Sequence, residues 1–425
     1  MLNNADKNFP WLSHYPAGIP ATINPDAYQS LIELMEIGFK NNSQNPAFSN
    51  MNQQLTFGEL DKLSKDFASY LQSVGMQPGD RIAIQMPNLL QNPVAMFGSL
   101  RAGLVVVNTN PLYTSREMLH QFKDSKAKAI VILSNFASKL EAILPETSIE
   151  QVIVTDIGDL LNFPKRLLVN AVVKYVKKMV PDYSLSHAVS FRKALRIGSE
   201  HSYSKPNIKG TDQAFIQYTG GTTGVSKGAV LSHSNLIANV EAINEWLIAT
   251  IKSTGGGNQL VMAAPLPLYH VFALTINALC GLKWGAHNIL ITNPRDLPAF
   301  VKDLAKYPVN IFPGLNTLFN SLLNHEAFQK LDFSQLKVTI AGGMALQRVV
   351  AENWKKVTGC DLVEGYGLSE TAPVLSVNPL NGKHRNGTIG LPIPSTEMRI
   401  RLEDETWAPI GERGEICAKG PQVME

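Results

Sequence analysis

Hydrophobic and polar positions along the chain switch repeatedly between a helix-type and a strand-type spacing. Between residues 56 and 133, apolar residues recur at helical spacing in three stretches, and short strand-type runs alternate with them. The predicted strands of this stretch are residues 81–86, 104–107 and 129–133, and the predicted helices are 57–75, 89–102 and one that begins after residue 114. This β-α-β-α-β order is typical of parallel strands with helices packed on the faces of the sheet.

Two helix starts can be placed from local sequence. Thr56 and Glu59 have the spacing of a capping box, in which each side chain bonds the backbone N–H of the other residue. Thr114 and Glu117 repeat that spacing. Helices are therefore predicted to begin directly after Thr56 and Thr114.

The alternation resumes after residue 212 and changes character in the last fifty residues. Further strands are predicted at residues 214–217, 260–263, 289–291, 309–312 and 338–341, with helices between them. Prolines and glycines then separate short alternating runs at 398–402 and 415–418. We predict an α/β fold with mixed, mainly parallel sheets layered with helices. A body of two sheet–helix subdomains is expected over 1–375, and a small, incomplete β-rich subdomain over 376–425.

Composition narrows the class of protein. Hydrophobic residues make up 44% and charged residues 17%, which suits a globular protein with a sizeable core. The net charge of +3, without a basic arm or zinc-finger spacing, argues against nucleic-acid binding. The three cysteines lie far apart and suit a reducing compartment. With no signal-peptide pattern and no apolar run of about 18 residues, we expect a cytoplasmic protein without a membrane-spanning helix.

A loop rich in glycine and threonine follows the strand predicted at 214–217. Its eleven residues are Tyr218, Thr219, Gly220, Gly221, Thr222, Thr223, Gly224, Val225, Ser226, Lys227 and Gly228, and a helical pattern begins near Ser232. Glycines allow backbone N–H groups to turn toward an anion, while hydroxyls and a lysine can bind phosphate oxygens. The loop is not a Walker motif, because Ser226 stands where that motif needs glycine before the lysine. The alternative is a flexible surface loop of small residues.

Two further turns lie at predicted strand ends. The first comprises Glu364, Gly365, Tyr366, Gly367, Leu368, Ser369, Glu370 and Thr371. Its tyrosine could lie flat on a purine, and Glu370 offers an oxygen ligand to Mg²⁺. The second is 341–345, whose Gly343, Met344 and Ala345 could let an adenine rest on the backbone. Each alone also fits an ordinary turn or close helix–strand packing, but together they suit a nucleotide at the carboxyl edge of a sheet.

At these residues the chain resembles the adenylate-forming superfamily of acyl-CoA synthetases, adenylation domains and luciferases. Residues 218–228 resemble the family's phosphate loop, with Ser226 in place of its usual proline, and 365–370 resemble its second signature, with Ser369 in place of threonine. Segments 23–31, 108–113, 267–274 and 293–296 resemble the branch that acts on long-chain fatty acids.

The resemblance implies a reaction and roles for named residues. A fatty acid and ATP would form an acyl-adenylate, which CoA would convert to acyl-CoA. Thr222 and Glu370 would bind Mg²⁺, residues 219–227 would hold the β- and γ-phosphates, and Ser369 would contact the α-phosphate. The adenine would lie among Gly343, Met344, Ala345, Glu364, Gly365 and Tyr366, next to Gly367. His270 would lie by the substrate carboxylate, and Phe272 and Leu274 would gate an acyl tunnel or belong to the core.

The chain stops within a further motif of the family, at residues 414–425. In the family, the ribose-binding aspartate, a hinge and a small C-terminal domain with a catalytic lysine come later. The resemblance therefore implies a C-terminally truncated chain that binds nucleotide but turns over poorly by itself.

Residues 165–178 carry five basic and no acidic side chains on a helix-compatible apolar background. Such a segment can lie in an anionic lipid interface, which would make the protein peripheral on the inner face of a membrane. The alternative is a surface helix whose apolar face packs on the body. The sequence does not fix the oligomeric state, and a homodimer stays open.

Other functions are alternatives to this one. Within the family, the carboxylate could be medium-chain, aryl, or one passed to a carrier protein. A non-catalytic nucleotide-binding module is disfavoured by the intact Thr222, Lys227 and Glu370. A dehydrogenase is disfavoured because no GxGxxG follows a strand.

Overall fold

The computed structural model describes residues 9–220, 225–255, 259–380 and 382–425. The strands are β1 Pro46–Asn50, β2 Gln53–Thr56, β3 Arg81–Gln85, β4 Val105–Asn108, β5 Ala129–Leu133, β6 Gln151–Thr155, β7 Val189–Ser190, β8 Gln213–Thr219, β9 Lys227–Ser232, β10 Val261–Ala264, β11 His287–Leu290, β12 Ile311–Gly314, β13 Val338–Ala341, β14 Leu362–Gly367, β15 Val374–Val377, β16 Leu391–Pro392, β17 Glu397–Arg401 and β18 Glu415–Lys419.

The α-helices are α1 Leu31–Asn41, α2 Phe57–Ser73, α3 Gln91–Arg101, α4 Ser115–Ser125, α5 Ala137–Glu141, α6 Lys165–Ala171, α7 Phe191–Ser199, α8 His233–Gly255, α9 Val271–Ala273, α10 Gly281–Trp284, α11 Leu297–Leu304, α12 Asn316–Leu323, α13 Glu326–Gln329 and α14 Arg348–Thr358. Two π-helical segments extend them: Val172–Val176 continues α6, and Leu274–Cys280 joins α9 to α10.

The strands form two large sheets and one small one. The nine-stranded sheet has the order β16-β15-β14-β13-β12-β10-β11-β1-β2, and the strands from β14 to β1 in that order are parallel. The seven-stranded sheet has the order β7-β6-β5-β3-β4-β8-β9, parallel except for β9. The antiparallel pair β17–β18 stands apart as a sheet of two strands. The predicted α/β class with mainly parallel sheets is therefore confirmed.

The local start signals read from the sequence are confirmed as well. Thr56 and Glu59 form the capping box of α2, and Thr114 and Glu117 form that of α4. The short strands predicted in the last fifty residues are also present, as β17 and β18. However, the chain from residue 374 first adds β15 and β16 to the edge of the nine-stranded sheet before it forms that separate pair.

The expectation that a helix follows the glycine-rich loop was incomplete. Residues 227–232 form β9, which pairs antiparallel with β8, and α8 begins only at His233. Ala229 and Leu231 are buried while their neighbours are less so, which is the two-residue period of a strand with one face on the core. The loop therefore connects the two strands of a hairpin rather than a strand and a helix.

One apolar core joins the two large sheets. It includes Val106 from the seven-stranded sheet, Met262 from the nine-stranded sheet, and Ile243 and Leu247 from α8. Two smaller clusters cover the outer faces of the sheets, one around Trp354 and one around Phe122. The two large sheets therefore pack against each other through one shared core. Among the described residues, no helix combines the length and the apolar character needed to cross a membrane.

Candidate active site

A cavity of about 600 Å³ lies where segments from both large sheets meet. Thr219 ends β8 and Gly220 follows it, Gly342 and Gly343 follow β13, and His270 follows β10 by a short turn. The carboxyl ends of parallel strands share one edge of a sheet, and ligands commonly bind outside that edge. The lining residues are Thr219, Gly220, Ile243, Trp246, Leu247, His270, Val271, Phe272, Ile276, Ile340, Gly342, Gly343, Gly365, Tyr366, Gly367, Leu368, Ser369, Glu370, Pro373, Val374 and Val377.

The base of the glycine-rich loop reaches this cavity from the β8–β9 hairpin. Thr219 and Lys227 are paired across the two strands, and the Ser226 hydroxyl donates to the Thr219 carbonyl at 2.7 Å. Thr219 and Gly220 line the cavity, while Lys227 is exposed beside it. Gly221, Thr222, Thr223 and Gly224 lie outside the described residues.

The second turn forms another wall of the cavity. Gly365, Tyr366, Gly367, Ser369 and Glu370 all line it. A Cβ at Gly367 would collide with the carbonyl of Pro373, so only glycine fits where β14 turns toward β15. The turn itself is held by Thr371, whose hydroxyl oxygen accepts the Leu368 N–H at 3.0 Å.

Glu364 does not line the cavity but is buried directly before this turn. Desolvation raises the pKa of its carboxyl, although a hydrogen bond from the Leu346 backbone acts in the opposite direction. Tyr218, on β8, is also absent from the lining. Desolvation, together with its hydrogen bond to Asp124, raises the pKa of its phenol, so Tyr218 keeps its proton.

The third turn, residues 341–345, adds its two glycines to the cavity wall. Gly343 has a φ of 74°, a conformation that favours glycine, and a Cβ on Gly342 would lie 2.9 Å from the Phe272 ring. Close packing against Phe272 of helix α9 therefore explains the glycine at position 342. This is the close helix–strand packing that the sequence left open as an alternative to adenine binding. Met344 and Ala345 are exposed next to the cavity but are not part of its lining.

His270 caps the short helix α9 and lines the cavity. Its Nδ1 accepts the backbone N–H of Phe272 at 3.3 Å, so the neutral ring carries its proton on Nε2. Although the ring is partly exposed toward the cavity, desolvation by the surrounding protein lowers the pKa of His270. A neutral imidazole can donate one hydrogen bond without adding a charge. Phe272 also lines the cavity, whereas Leu274 is fully buried and belongs to the core.

Much of the cavity wall is apolar, and sequence reasoning missed most of these residues. Ile243, Trp246 and Leu247 come from α8, Ile276 comes from the π-helical segment, and Val374 and Val377 come from β15. No motif marks them in the sequence, because apolar residues on a helix or strand look the same whether they face a core or a cavity.

The cavity also offers oxygen donors for a cation. Glu370 is half-buried at its wall, beside the hydroxyls of Ser369 and Thr219. Carboxylate and hydroxyl oxygens are suitable ligands for Mg²⁺, which keeps several waters and needs few protein ligands. Among the described residues, no cluster of three or more His, Cys, Asp or Glu side chains could hold a metal. The donors present therefore fit a hard cation that is shared with a phosphate.

Proteins similar to this chain were found by comparing its sequence and its fold with those of known proteins. Residues 36–425 match the AMP-binding enzyme family, and the chain belongs to that family. It is 53% identical to a long-chain-fatty-acid–CoA ligase of Escherichia coli over 97% of this chain and 73% of that protein. A ligase of the same name from Bacillus subtilis is 35% identical over 98% of this chain and 73% of its own length.

Solved structures show the same fold. A long-chain-fatty-acid–CoA ligase from Archaeoglobus fulgidus superimposes with a TM-score of 0.77 at 21% identity, covering 97% of this chain and 78% of that one. The anthranilate CoA ligase AuaEII, solved with anthranoyl-AMP, superimposes with a TM-score of 0.79 at 18% identity, covering 95% of this chain and 72% of that one.

Proposed function

We propose that this chain activates a long-chain fatty acid with ATP, forming an acyl-adenylate that CoA converts to acyl-CoA. The observation that carries the proposal is the composition of the cavity. One part of its wall consists of glycine-rich, hydroxyl-bearing turns, and another part is apolar. An acyl-adenylate has the same two parts, a charged nucleotide and a hydrocarbon chain. The high identity to the Escherichia coli ligase favours a long-chain acid over an aryl or medium-chain one.

In this proposal the polar turns bind the nucleotide. The loop from Thr219 to Lys227, including Thr222 and Thr223, holds the β- and γ-phosphates through backbone N–H groups, hydroxyls and the lysine ammonium. Ser369 donates to the α-phosphate. Tyr366, between two glycines, stacks on the adenine, which also lies along Gly343 and Gly365.

Mg²⁺ would be held by Glu370 and Thr222 and would neutralise charge on the phosphates. The chain's own residues supply the remaining positioning. Two anions, the carboxylate and the triphosphate, must approach each other, so catalysis depends on charge neutralisation and orientation. His270 offers its Nε2–H to the carboxylate without requiring a buried imidazolium.

The reaction is an in-line displacement. A carboxylate oxygen forms a bond to the α-phosphorus of ATP, the bond from that phosphorus to the bridging oxygen breaks, and pyrophosphate leaves. In the second step the CoA sulfur bonds to the acyl carbon, the bond from acyl carbon to phosphate oxygen breaks, and AMP leaves. The thiol proton is lost to solvent or base.

Calorimetry with non-hydrolysable acyl-adenylate analogues tests this proposal. Acetyl, octanoyl and palmitoyl forms are compared on this chain. We expect affinity to rise with chain length, by up to roughly 0.8 kcal/mol for each buried CH₂. Equal affinity for all three forms would overturn the long-chain assignment, and absence of binding by all three would overturn the adenylate site.

We also propose that the protein contacts membranes through the basic segment 165–178 and its immediate neighbours. The structure leaves large apolar side chains of this region exposed, which does not agree with a helix whose apolar face packs on the body. The exposed apolar side chains are Phe163, Leu167, Leu168, Tyr175, Val176 and Met179. Lys165, Arg166, Lys174, Lys177 and Lys178 accompany them without an acidic residue between positions 160 and 181. Apolar and basic side chains together favour an anionic lipid surface.

The segment is fixed to the body near its middle and directly after its last residue. The Asn170 side chain accepts the Gly158 N–H at 2.7 Å, and the Asn135 side chain donates to the Met179 carbonyl at 3.0 Å. The exposed side chains are thus held outward on a fixed support, as a membrane contact requires.

Flotation with vesicles of equimolar phosphatidylcholine and phosphatidylglycerol tests the membrane contact. We expect binding at about 0.1 M salt that weakens at about 1 M, because the Debye length falls from about 10 Å to about 3 Å. Phe163→Ser with Leu168→Ser should reduce binding, whereas Ile410→Ser, at a residue 92% exposed elsewhere, should not. Equal loss in both variants, or no flotation of the unmodified chain, would refute the contact.

A further inference from the structure

Helix α4 lies against the base of the glycine-rich loop, and three contacts join them. His120 and Asp124 are four residues apart and therefore share one face of α4. His120 contacts the residue before β9, and Asp124 contacts a residue near the end of β8. Tyr113, just before the helix, makes the third contact. None of the three residues lines the cavity.

The His120 contact has a defined direction. Its Nε2 lies 2.9 Å from the carbonyl oxygen of Ser226, and that oxygen can only accept a hydrogen bond. The ring must therefore carry a proton on Nε2. This contact fixes the backbone at the residue directly before Lys227, whose ammonium the proposed function assigns to phosphate binding.

Ser226 is held from two more sides. Its hydroxyl donates to the Thr219 carbonyl at 2.7 Å across the base of the loop, and its side chain is hydrogen-bonded to the Tyr113 phenol. Ser226 stands where the family usually has a proline, whose ring restricts the backbone φ angle. Here hydrogen bonds to neighbouring segments restrain the same position.

The other strand of the hairpin is tied to the same helix. The Tyr218 phenol donates to the Asp124 carboxylate at 2.5 Å. Both strands therefore approach the cavity at a position set by α4. Because α4 follows β4 and precedes β5, this support belongs to the parallel part of the seven-stranded sheet.

We propose that Tyr113, His120 and Ser226 form a hydrogen-bonded latch that positions Lys227 and Thr219 for the β- and γ-phosphates of ATP. These are positioning residues, since none of them lines the cavity. The inference rests on the proposed function for the identity of the ligand. It predicts that the latch affects only the part of the nucleotide beyond the α-phosphate, because the adenine and α-phosphate are assigned to other turns.

The test compares ATP with AMP, each with Mg²⁺, by calorimetry on this chain. His120→Ala should weaken ATP binding about fivefold or more, as expected for loss of one hydrogen bond worth about 1 kcal/mol, and leave AMP binding unchanged within about twofold. His120→Gln keeps an N–H donor at a similar reach and should restore most of the ATP affinity. Arg116→Gln, on the exposed part of α4, serves as the matched control.

A second set of variants tests whether the two contacts act through Ser226. Tyr113→Phe and His120→Ala should combine less than additively in their effect on ATP affinity, since both restrain the same residue. Equal loss of ATP and AMP affinity in His120→Ala would show a general structural defect and overturn the latch. Unchanged ATP affinity would overturn it as well. Failure of the unmodified chain to bind either nucleotide would instead refute the proposed function.

Discussion

Tyr15 meets Trp246 edge-on, with ring centroids 5.1 Å apart and planes at 90°. Trp246 is part of the cavity wall, and Tyr15 supports it from behind while its phenol donates to the Pro392 carbonyl at 2.5 Å. The indole N–H of Trp246 is buried and has no hydrogen-bond partner in the described part of the chain. The indole of Trp246 is therefore held by packing within the core, and its ring adds to the apolar part of the cavity wall.

Trp246→Ala should lengthen the apolar part of the cavity. With the unmodified chain, affinity for acyl-adenylate analogues should stop rising once the acyl chain reaches the indole. With the variant, it should continue to rise by up to about fourfold for each added CH₂, the equivalent of roughly 0.8 kcal/mol. Calorimetry over a series of acyl lengths measures this. Trp284→Ala, half-buried and bonded to Asn244 outside the cavity, is the control. The same length dependence in all three proteins would contradict the assignment of Trp246.

Ile276→Phe should have the opposite effect. The added ring volume fills the apolar part of the cavity and displaces about two CH₂ groups, which corresponds to roughly a fifteenfold loss of affinity for the palmitoyl analogue. The acetyl analogue should bind as before. Ile197→Phe, a similar enlargement on α7, controls for general overpacking. Equal weakening of both analogues by Ile276→Phe would show that the long chain does not pass this residue.

Lys227→Met should weaken ATP binding by at least about tenfold, since a charge-assisted hydrogen bond is typically worth about 1.5–3 kcal/mol. The nearly equal length of the methionine side chain limits the change to the charge. Lys356→Met, exposed on α14, is the matched control. Calorimetry with ATP and Mg²⁺ provides the measurement, and an ATP affinity equal to that of the control would exclude Lys227 from phosphate binding.

The parts of the fold that depend on residues close together in the sequence could be predicted from it. The capping boxes at Thr56 and Thr114 and the alternation from α2 to β5 follow from local spacing, and the structure has all of them. Strand β9 was missed because it begins with Lys227 and Gly228, which are typical of a loop. Only its pairing with β8 shows that the segment is extended.

The residues of the candidate site also fall into a group that the sequence reveals and a group that depends on tertiary packing. Glycine-rich turns at strand ends are visible in the sequence, because few other sequences allow such backbone turns. The latch residue His120 and the wall residues of α8 could not be found there. Their roles depend on which segment lies next to them, and that is decided by the packing of two sheets. Met344 and Ala345, named from their position in a motif, lie beside the cavity rather than in its wall.

Two buried histidines should make stability depend on pH. Burial lowers the pKa of His233 to about 4 and that of His287 to about 4, against about 6.5 in an unfolded chain. The unfolded state therefore binds more protons below pH 6.5. Stability is complete above that pH and is lost as the pH falls toward 4, by about 1.4 kcal/mol per pH unit for each histidine.

His233→Asn isolates one of these groups. The Nδ1 of His233 accepts the Leu31 N–H at 3.2 Å, and the asparagine carbonyl can accept the same bond without titrating. Between pH 7 and pH 5, the free energy of unfolding in urea should fall by roughly 2 kcal/mol less in this variant than in the unmodified chain. His201→Asn, at an exposed position, should change nothing. The same pH dependence in all three proteins would show that His233 does not titrate between folded and unfolded states.

The cavity wall takes residues from both large sheets, since Thr219 is the last residue of a strand in the seven-stranded sheet and Val377 lies in the nine-stranded one. A ligand in it can bind only when both halves of the chain have folded and met. Binding and global folding are therefore thermodynamically linked. A ligand at a hundred times its Kd should raise the free energy of unfolding by about 2.7 kcal/mol. The bound ligand should also slow hydrogen exchange in the core strands of both sheets together. Ligand binding therefore couples the unfolding of one sheet to the unfolding of the other.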